Sequence, residues 1–278
     1  MGIFNGCLLA CDIDGTLLYD KTLPERNVRK IKDFVSEGGA FALSTGRTSQ
    51  ALYDVTSRID CIAPSVLSNG CVIYDFAAKK PLSQKVLPKS TLAMVDRVMG
   101  AIGIGIEMHS ADSVFVPSRS RASDLHESYE SMPAQFISAA EAAKNDINKI
   151  IYFLENEEQA KTVFEISKEY ENECVFYPTG TTINGEKQNY CEQIPRGVSK
   201  ASALDELKGL LGIGKGGYFA IGDYYNDLEM INAADISAVP ADSPDDIKRA
   251  ATFVAGSAKN GAVADFIEYL EERFKNGR

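Results

Sequence analysis

The sequence predicts an α/β protein with a doubly wound, Rossmann-like parallel-sheet core and an inserted α+β domain. Short apolar runs alternate with amphipathic helical stretches at both ends of the chain. The middle of the chain instead mixes helices with strands at hairpin spacing. Asp-rich or hydroxyl-rich turns follow three of the apolar runs, and ligands of open α/β sheets lie beyond such strand ends. We therefore predict a discontinuous core over residues 1–83 and 194–278, with residues 84–193 inserted.

The N-terminal part has the β-α-β order of a parallel strand pair joined by a right-handed crossover. A strand over Cys7–Ile13 comes first, and the pattern Thr22-x-x-Glu25 predicts a capping box at the start of the following helix. A second strand is predicted over Ala40–Leu43. Farther along, Asn69-Gly70 between two apolar runs predicts a hairpin.

The rest of the chain divides into a mixed block and a return to α/β alternation. The mixed block is predicted to contain a helix near 90–100, strands Ile104–Met108 and Val114–Pro117, a short strand near Phe136, a capping box Ser138-x-x-Glu141, strand Lys149–Leu154, helix Glu157–Tyr170 and three short strands up to Ile194. The last part is predicted as helix Ser199–Leu211, strand Tyr218–Ile221, helix Asn226–Ala233, strand Ile236–Val239, helix 243–250, strand Thr252–Val254 and helix 261–273.

Composition limits the kinds of partner. The 278 residues are 45% hydrophobic with a formal net charge of −10, and they carry no basic stripe, which argues against nucleic acid and anionic membranes. No apolar run reaches the ~18 residues of a membrane span. Six cysteines without a CxxC pair and only two histidines argue against zinc. We expect a cytoplasmic protein, monomeric or weakly dimeric, that acts on a small molecule.

Four segments predict one active site because each lies beside a predicted strand end or helix start. They are Asp12-Ile13-Asp14-Gly15-Thr16, Ser44-Thr45-Gly46-Arg47, Ser199-Lys200 and Gly222-Asp223-Tyr224-Tyr225-Asn226-Asp227. Two aspartates one residue apart, a hydroxyl, a lysine and a second acidic pair suit Mg²⁺-assisted phosphoryl transfer through an aspartyl-phosphate.

Each side chain has an expected role. One carboxylate of the Asp12/Asp14 pair attacks phosphorus and the other acts as acid and base. Thr45 and Gly46 offer donors to phosphate near a helix start, and Lys200 offsets phosphate charge. The predicted Mg²⁺ ligands are Asp12, Asp223 and Asp14, the last through its carbonyl. Asn226 is placed at the substrate and Asp227 orients the ligands. The open alternatives are a plain Asp-Gly turn, helix caps at Thr45 and Asp223, and an Arg47 that reaches the substrate or only pairs with a surface acid.

With these segments in place, the sequence resembles the haloacid dehalogenase superfamily of phosphohydrolases, and within it the Cof-like branch with a type IIB cap. The resemblance implies that Asp12 is the nucleophile, Asp14 the general acid and base, and Asp223 the metal aspartate. It implies that Thr45 and Lys200 bind phosphate, and that residues 84–193 form the cap. A second aspartate at position 14 favours hydrolysis over the phosphorylation chemistry of transport ATPases. A sugar phosphate is the substrate that the resemblance leads us to expect.

Two other functions remain open at this point. A sugar phosphomutase shares all four segments and would release no net phosphate. A non-enzymatic phospho-acceptor signalling domain also uses acids, a hydroxyl and a lysine, but it lacks Asp14 and a large insert. Within the predicted insert, five polar or charged side chains are candidates for contact with the substrate: Glu107, His109, Arg119, Arg121 and Glu192.

Overall fold

The computed structural model describes residues 2–60, 62–130, 133–183 and 185–277. The strands are β1 Leu8–Cys11, β2 Ala40–Leu43, β3 Ser65–Leu67, β4 Val72–Asp75, β5 Lys80–Gln84, β6 Ile106–His109, β7 Val114–Ser118, β8 Ala134–Gln135, β9 Lys149–Phe153, β10 Cys174–Ile183, β11 Glu186–Pro195, β12 Tyr218–Ile221, β13 Ile236–Val239 and β14 Phe253–Val254. The helices are α1 Glu25–Ser36, α2 Tyr53–Arg58, α3 Ala93–Ala101, α4 Arg121–Glu130, α5 Ala139–Ala142, α6 Glu157–Ser167, α7 Lys200–Leu211, α8 Leu228–Ala233, α9 Asp245–Ala250 and α10 Ala262–Lys275.

The chain forms two compact units. The first comprises Met1–Arg47, Leu52–Leu82 and Ser199–Arg278, and the second comprises Thr48–Ala51 and Ser83–Val198. The second unit therefore ends later than the predicted insert, and it includes a short piece of the loop after β2. Of the helices in the described ranges, none combines the length and the apolar character needed to cross a membrane.

A parallel five-stranded sheet forms the centre of the first unit, in the order β14-β13-β12-β1-β2. Leu8 and Ala10 of β1 face a cluster with Leu204 and Leu207 of α7. On the opposite face, the ring of Phe219 meets that of Phe274 in α10, with centroids 5.8 Å apart. Helices thus cover both faces, which is why the strands of this sheet are apolar at every position except Ser237 in β13. The predicted doubly wound fold is confirmed.

The start of α1 differs from the prediction. Pro24 precedes the helix, and no side chain caps it. The backbone of Thr22 is instead paired in both directions with that of Tyr19, in a tight turn with N–O distances of 2.8 and 3.0 Å. The carboxylate of Glu25 bonds Arg58 rather than reaching back to Thr22. The predicted capping box is therefore wrong because both of its members have other partners.

The second unit contains a six-stranded sheet in the order β10-β11-β9-β6-β7-β8. One face packs on α3, α5 and α6 through residues such as Met108, Ile150 and Val163. The predicted capping box of Ser138 and Glu141 is confirmed at the start of α5. The three short strands predicted before Ile194 are wrong, since β10 and β11 form one long antiparallel hairpin. β10 runs through Pro178 because it is an edge strand, where a missing N–H breaks no ladder.

Candidate active site

The functional segments of the first unit meet at one edge of its parallel sheet. Cys11, the last residue of β1, pairs in register with Leu43 of β2 and with Ile221 of β12. Asp12, Ser44 and Gly222 follow those three strands directly, so their segments start side by side. The Asp12 N–H continues the ladder by donating to the Ile221 carbonyl at 2.9 Å. Parallel pairing of β1 with both neighbours therefore places the Asp12, Thr45 and Asp223 segments together, as the sequence predicted.

Lys200 joins the site from the first turn of α7. Ser199 caps this helix by accepting the Ser202 N–H at 3.2 Å, and Ser202 reciprocates at 2.9 Å. The Lys200 side chain is buried, and its Nζ lies 2.7 Å from Oδ1 of Asp12 and 2.7 Å from Oδ1 of Asp227. One buried cation thus links two buried carboxylates, a geometry strong enough to orient both.

Asp227 fixes the turn that carries Asp223. Its Oδ2 accepts the N–H groups of Asp223 and Tyr224 at 3.1 and 3.4 Å, while its Oδ1 accepts from Lys200. A Cβ at position 222 would come within 2.6 Å of the Asp227 side chain, so this approach requires Gly222. Asp227 therefore fixes this turn, and the alternative in which Asp223 caps the next helix is not observed. Asn226 is exposed in the same turn.

The acidic side chains at this edge fit a divalent cation. Carboxylate oxygens of Asp12, Asp223 and Asp227 lie within 4.8 Å of one another. Gly15, with φ of +84°, turns the chain so closely around Asp223 that a Cβ there would lie 2.3 Å from Oδ2. Both oxygens of Asp227 already accept hydrogen bonds, so Asp12 and Asp223 are the better ligands. The side chain of Asp14 lies outside this group, and its predicted contribution to the metal through its carbonyl stays a prediction.

The electrostatics of the group also favour a cation. Burial, and then the charge of Asp227, raises the pKa of Asp12 well above its usual range, although Lys200 opposes the shift. The same two causes raise the pKa of Asp223 to about 7. Burial disfavours the charged lysine, yet the carboxylates of Asp12 and Asp227 outweigh it and raise the pKa of Lys200. A single lysine thus leaves the three carboxylates undercompensated, which a bound Mg²⁺ would correct.

Arg47 pairs with Asp14. Its Nε donates to Oδ2 at 2.8 Å and its NH2 group donates to Oδ1 at 2.6 Å, a bidentate fork. The Asp14 side chain is 54% exposed whereas that of Arg47 is 11% exposed. Arg47 thus pairs with an exposed acid, which is one of the two alternatives left open by the sequence, and that acid is Asp14, the expected general acid and base.

Ser68 and Asn69, which sequence reasoning placed only in a hairpin, support the Thr45 segment. Ser68 donates its N–H to the Arg47 carbonyl and Asn69 donates to the Thr45 carbonyl, both at 3.0 Å. Both residues have positive φ, 50° and 56°. The predicted hairpin of β3 and β4 is confirmed. The Asn-Gly pair predicts the turn. No local sequence pattern predicts that this turn bonds the Thr45 segment.

The charged candidates of the second unit divide into buried and exposed groups. Glu107 is buried between two histidines, 2.9 Å from Nε2 of His109 and 3.1 Å from Nδ1 of His126. Despite its burial, those imidazoles lower the pKa of Glu107 to about 2. Glu192 lies 3.7 Å from Lys149 on the same sheet face. These residues form a buried polar cluster, and their predicted role at the substrate stays a prediction.

The two arginine candidates lie at the surface of the second unit. Arg121 forms an exposed ion pair with Glu186, and Arg119 bonds Asp124 and Glu127. Exposed pairs of this kind stabilise a fold only weakly. Their predicted contact with the substrate stays a prediction.

A family model for haloacid dehalogenase-like hydrolases matches residues 9–267. The chain belongs to the haloacid dehalogenase-like hydrolase family. The match covers all four segments of the site together with the second unit. The predicted family is therefore confirmed, and the assignment of the active site to the ends of β1, β2 and β12 stays a prediction.

Characterised relatives are distant but similar over nearly the whole chain. Pyridoxal phosphate phosphatase YbhA of Escherichia coli is 23% identical over 269 residues, covering 94% of this chain and 97% of that protein. The 5-amino-6-(5-phospho-D-ribitylamino)uracil phosphatase YwtE of Bacillus subtilis is 24% identical over 290 residues, covering 94% and 97%. The chloroplastic endoribonuclease YBEY of Arabidopsis thaliana is 25% identical over 277 residues, and this chain spans 45% of its length.

Solved structures share the fold at low identity. A haloacid dehalogenase-like hydrolase from Bacteroides thetaiotaomicron has a TM-score of 0.84 with 19% identity, covering 95% of this chain and 99% of that one. The subclass IIB sugar phosphatase BT4131 has a TM-score of 0.77 with 18% identity, covering 95% and 99%. The family and its named phosphatases identify this haloacid dehalogenase-like chain as a phosphoric monoester hydrolase.

Proposed function

We propose that this chain is a Mg²⁺-dependent phosphatase that hydrolyses a small phosphorylated metabolite through an aspartyl-phosphate on Asp12. The observation that carries the proposal is the position of Asp12 at the end of β1, in contact with Lys200 and grouped with Asp223 and Asp227. The buried Lys200 keeps one oxygen of Asp12 oriented, which leaves the other for attack on phosphorus. A nucleophilic role for this buried carboxylate explains why a lysine and two further acids converge on it.

In the first half of the reaction, Asp12 attacks phosphorus and the bond to the leaving oxygen breaks. Asp14, in its protonated form, gives its proton to that oxygen, and the alcohol departs. Arg47 lies beside Asp14, so it can turn from this carboxylate to the incoming phosphate. Thr45 and Gly46, which follow β2, offer a hydroxyl and an N–H to the phosphate oxygens.

In the second half, Asp14 takes a proton from water as the water attacks the aspartyl-phosphate. The bond between Asp12 and phosphorus breaks, inorganic phosphate leaves, and both aspartates return to their starting states. Asp12 and Asp223 would hold Mg²⁺, with Asp227 orienting them, and the bound ion would stabilise charge on the phosphoryl oxygens. Lys200 stabilises the same developing charge from the protein side.

The substrate class remains part of the proposal. The resemblance favours a sugar phosphate, and one protein of the same fold is a sugar phosphatase. YbhA and YwtE are named for two other phosphorylated metabolites, so proteins similar to this chain act on several leaving groups. Small size is what these compounds share. We infer that the side chains of Asp12, Thr45, Lys200 and Asp223 handle the phosphoryl group and that other residues select the rest of the substrate.

Metal dependence tests the proposal. We expect EDTA to abolish release of inorganic phosphate from an aryl phosphate and from a panel of metabolites, and added Mg²⁺ to restore it. The apparent Mg²⁺ affinity should fall about tenfold for each pH unit below 7, since the Asp223 carboxyl, with its pKa raised to about 7, must lose its proton to bind the ion. The measurement is the Mg²⁺ concentration at half-maximal rate as a function of pH.

One variant serves as a control, and two outcomes would contradict the proposal. Asp227→Asn keeps the acceptor for the turn but removes a charge, so it should lower the pH at which Mg²⁺ affinity begins to fall. Full activity in metal-free buffer would contradict the metal assignment. Consumption of a sugar phosphate without net phosphate release would instead show a mutase.

A further inference from the structure

Two tyrosines directly follow Asp223 and are open to solvent. Tyr224 is 53% exposed and Tyr225 is 52% exposed. Their rings meet edge to face, with centroids 4.9 Å apart and planes at 77°. This arrangement forms a corner, in which one ring offers its face and the other its edge, and it leaves ring surface uncovered.

The corner is held in place from both ends. The Tyr225 hydroxyl donates to Asp246 at 2.9 Å, which ties the ring to α9. The N–H of Tyr224 donates to Asp227, the residue that also holds Lys200. Side chains fixed before binding lose little conformational freedom when a ligand arrives. The Tyr225 ring is therefore held in place before a ligand binds, and the Tyr224 ring packs on it from a fixed backbone.

The exposed aromatic groups described in the first unit belong to segments that follow β1, β2 and β12 along the chain. Among the residues that the structure describes there, the exposed aromatic side chains are Tyr19, Tyr53, Tyr224 and Tyr225. Tyr19 lies in the loop after β1, Tyr53 begins the helix after β2, and the pair follows β12. Adjacent residues have Cα atoms about 3.8 Å apart. The Cα of Tyr224 therefore lies this close to the Cα of Asp223, the proposed metal ligand.

We propose that Tyr224 and Tyr225 bind the leaving group of the substrate, and that this leaving group carries a planar aromatic ring. The inference rests on the proposed function, which puts the phosphoryl group at Asp12 and Asp223. A planar ring meets one tyrosine by its face and the other by its edge, as aromatic rings prefer. A sugar would need partners for its hydroxyl groups, and the Tyr225 hydroxyl is already bound to Asp246.

The test compares two esters of equal size. Benzyl phosphate and cyclohexylmethyl phosphate differ in aromaticity but have similar leaving alcohols, and glucose 6-phosphate represents sugars. We expect kcat/KM to favour the benzyl ester about tenfold, the ratio that about 1.4 kcal/mol of stacking gives. Tyr224→Leu should remove this preference, so that the kcat/KM values of the two esters come within about twofold of each other. Tyr53→Leu, at a 74% exposed tyrosine that follows a different strand, should keep it.

Binding separates this inference from the proposed function. Titration with benzylphosphonate and cyclohexylmethylphosphonate in Mg²⁺ needs no turnover, and it should show the same preference and the same loss in Tyr224→Leu. If no ester is hydrolysed but the phosphonate preference follows Tyr224, the phosphatase proposal fails and the aromatic site stands. If hydrolysis occurs without a benzyl preference, or if the sugar ester is preferred, the aromatic site is overturned and the phosphatase stands.

Discussion

Asp12→Asn is expected to reduce phosphatase turnover by about three orders of magnitude or more while leaving the protein folded. An amide cannot attack phosphorus, and loss of a nucleophile removes the covalent route altogether. Lys200 and Asp227 would remain paired, so the frame of the site persists. The measurement is kcat for an aryl phosphate, for which leaving-group protonation matters least.

Thermal stability provides the control for this variant. Burial and the charge of Asp227 raise the pKa of Asp12, which means that the folded protein favours the neutral form of this group. The amide that replaces it is neutral at every pH, so the variant should unfold at a temperature equal to or above that of the parent at pH 8 in metal-free buffer. Near-parent turnover would refute the nucleophile assignment. A large drop in Tm would show that the lost activity reflects misfolding.

Lys200→Met is expected to impair both stability and catalysis. Removing one member of a buried charge group costs about 3–5 kcal/mol because its partners stay buried without compensation. Here the partners are Asp12 and Asp227, each 2.7 Å from Nζ. They can regain neutrality only by taking up protons, so the loss in Tm should be larger at pH 8 than at pH 5. Turnover should fall at every pH, because the negative charge that develops on the phosphoryl group in the transition state is no longer stabilised by the Lys200 ammonium.

A second substitution separates the two effects. Asp227→Asn in the Lys200→Met background removes one uncompensated carboxylate, while the amide oxygen can still accept the N–H groups of Asp223 and Tyr224. Stability should recover in part and turnover should not. A Lys200→Met protein with parent Tm at pH 8 and parent kcat/KM would remove Lys200 from the site.

The parts of the site that the sequence predicted are those with local signals. DxDGT directly after an apolar run places Asp12 at a strand end, and Ser199-Lys200 opens a helix with its own cap. Parallel sheets bring such strand ends to one edge whatever the sequence between them. The positions of Asp12, Thr45, Lys200 and Asp223 therefore follow from short patterns and one topological rule.

The unpredicted parts depend on partners far along the chain. The pairing of Arg47 with Asp14 and the support of Thr45 by Asn69 each join residues of separate segments. The sequence has the Thr22-x-x-Glu25 capping-box pattern, but the Glu25 carboxylate accepts a hydrogen bond from Arg58 instead. Pro178 indicates a strand break unless its strand is known to lie at a sheet edge. Pairing choices of this kind are decided by tertiary structure, which single-sequence patterns do not encode.

Identification of the phosphorylated residue tests the central claim most directly. Asp14→Asn should slow attack of water on the aspartyl-phosphate, so a covalent intermediate formed from an aryl phosphate should accumulate in this variant. After rapid acid quench, peptide mapping by mass spectrometry should find one phosphoryl group on Asp12, only when Mg²⁺ is present, and none in the Asp12→Asn protein. A phosphoryl group on any other residue, or aryl alcohol release with no phosphorylated peptide at any time, would contradict the aspartyl-phosphate mechanism.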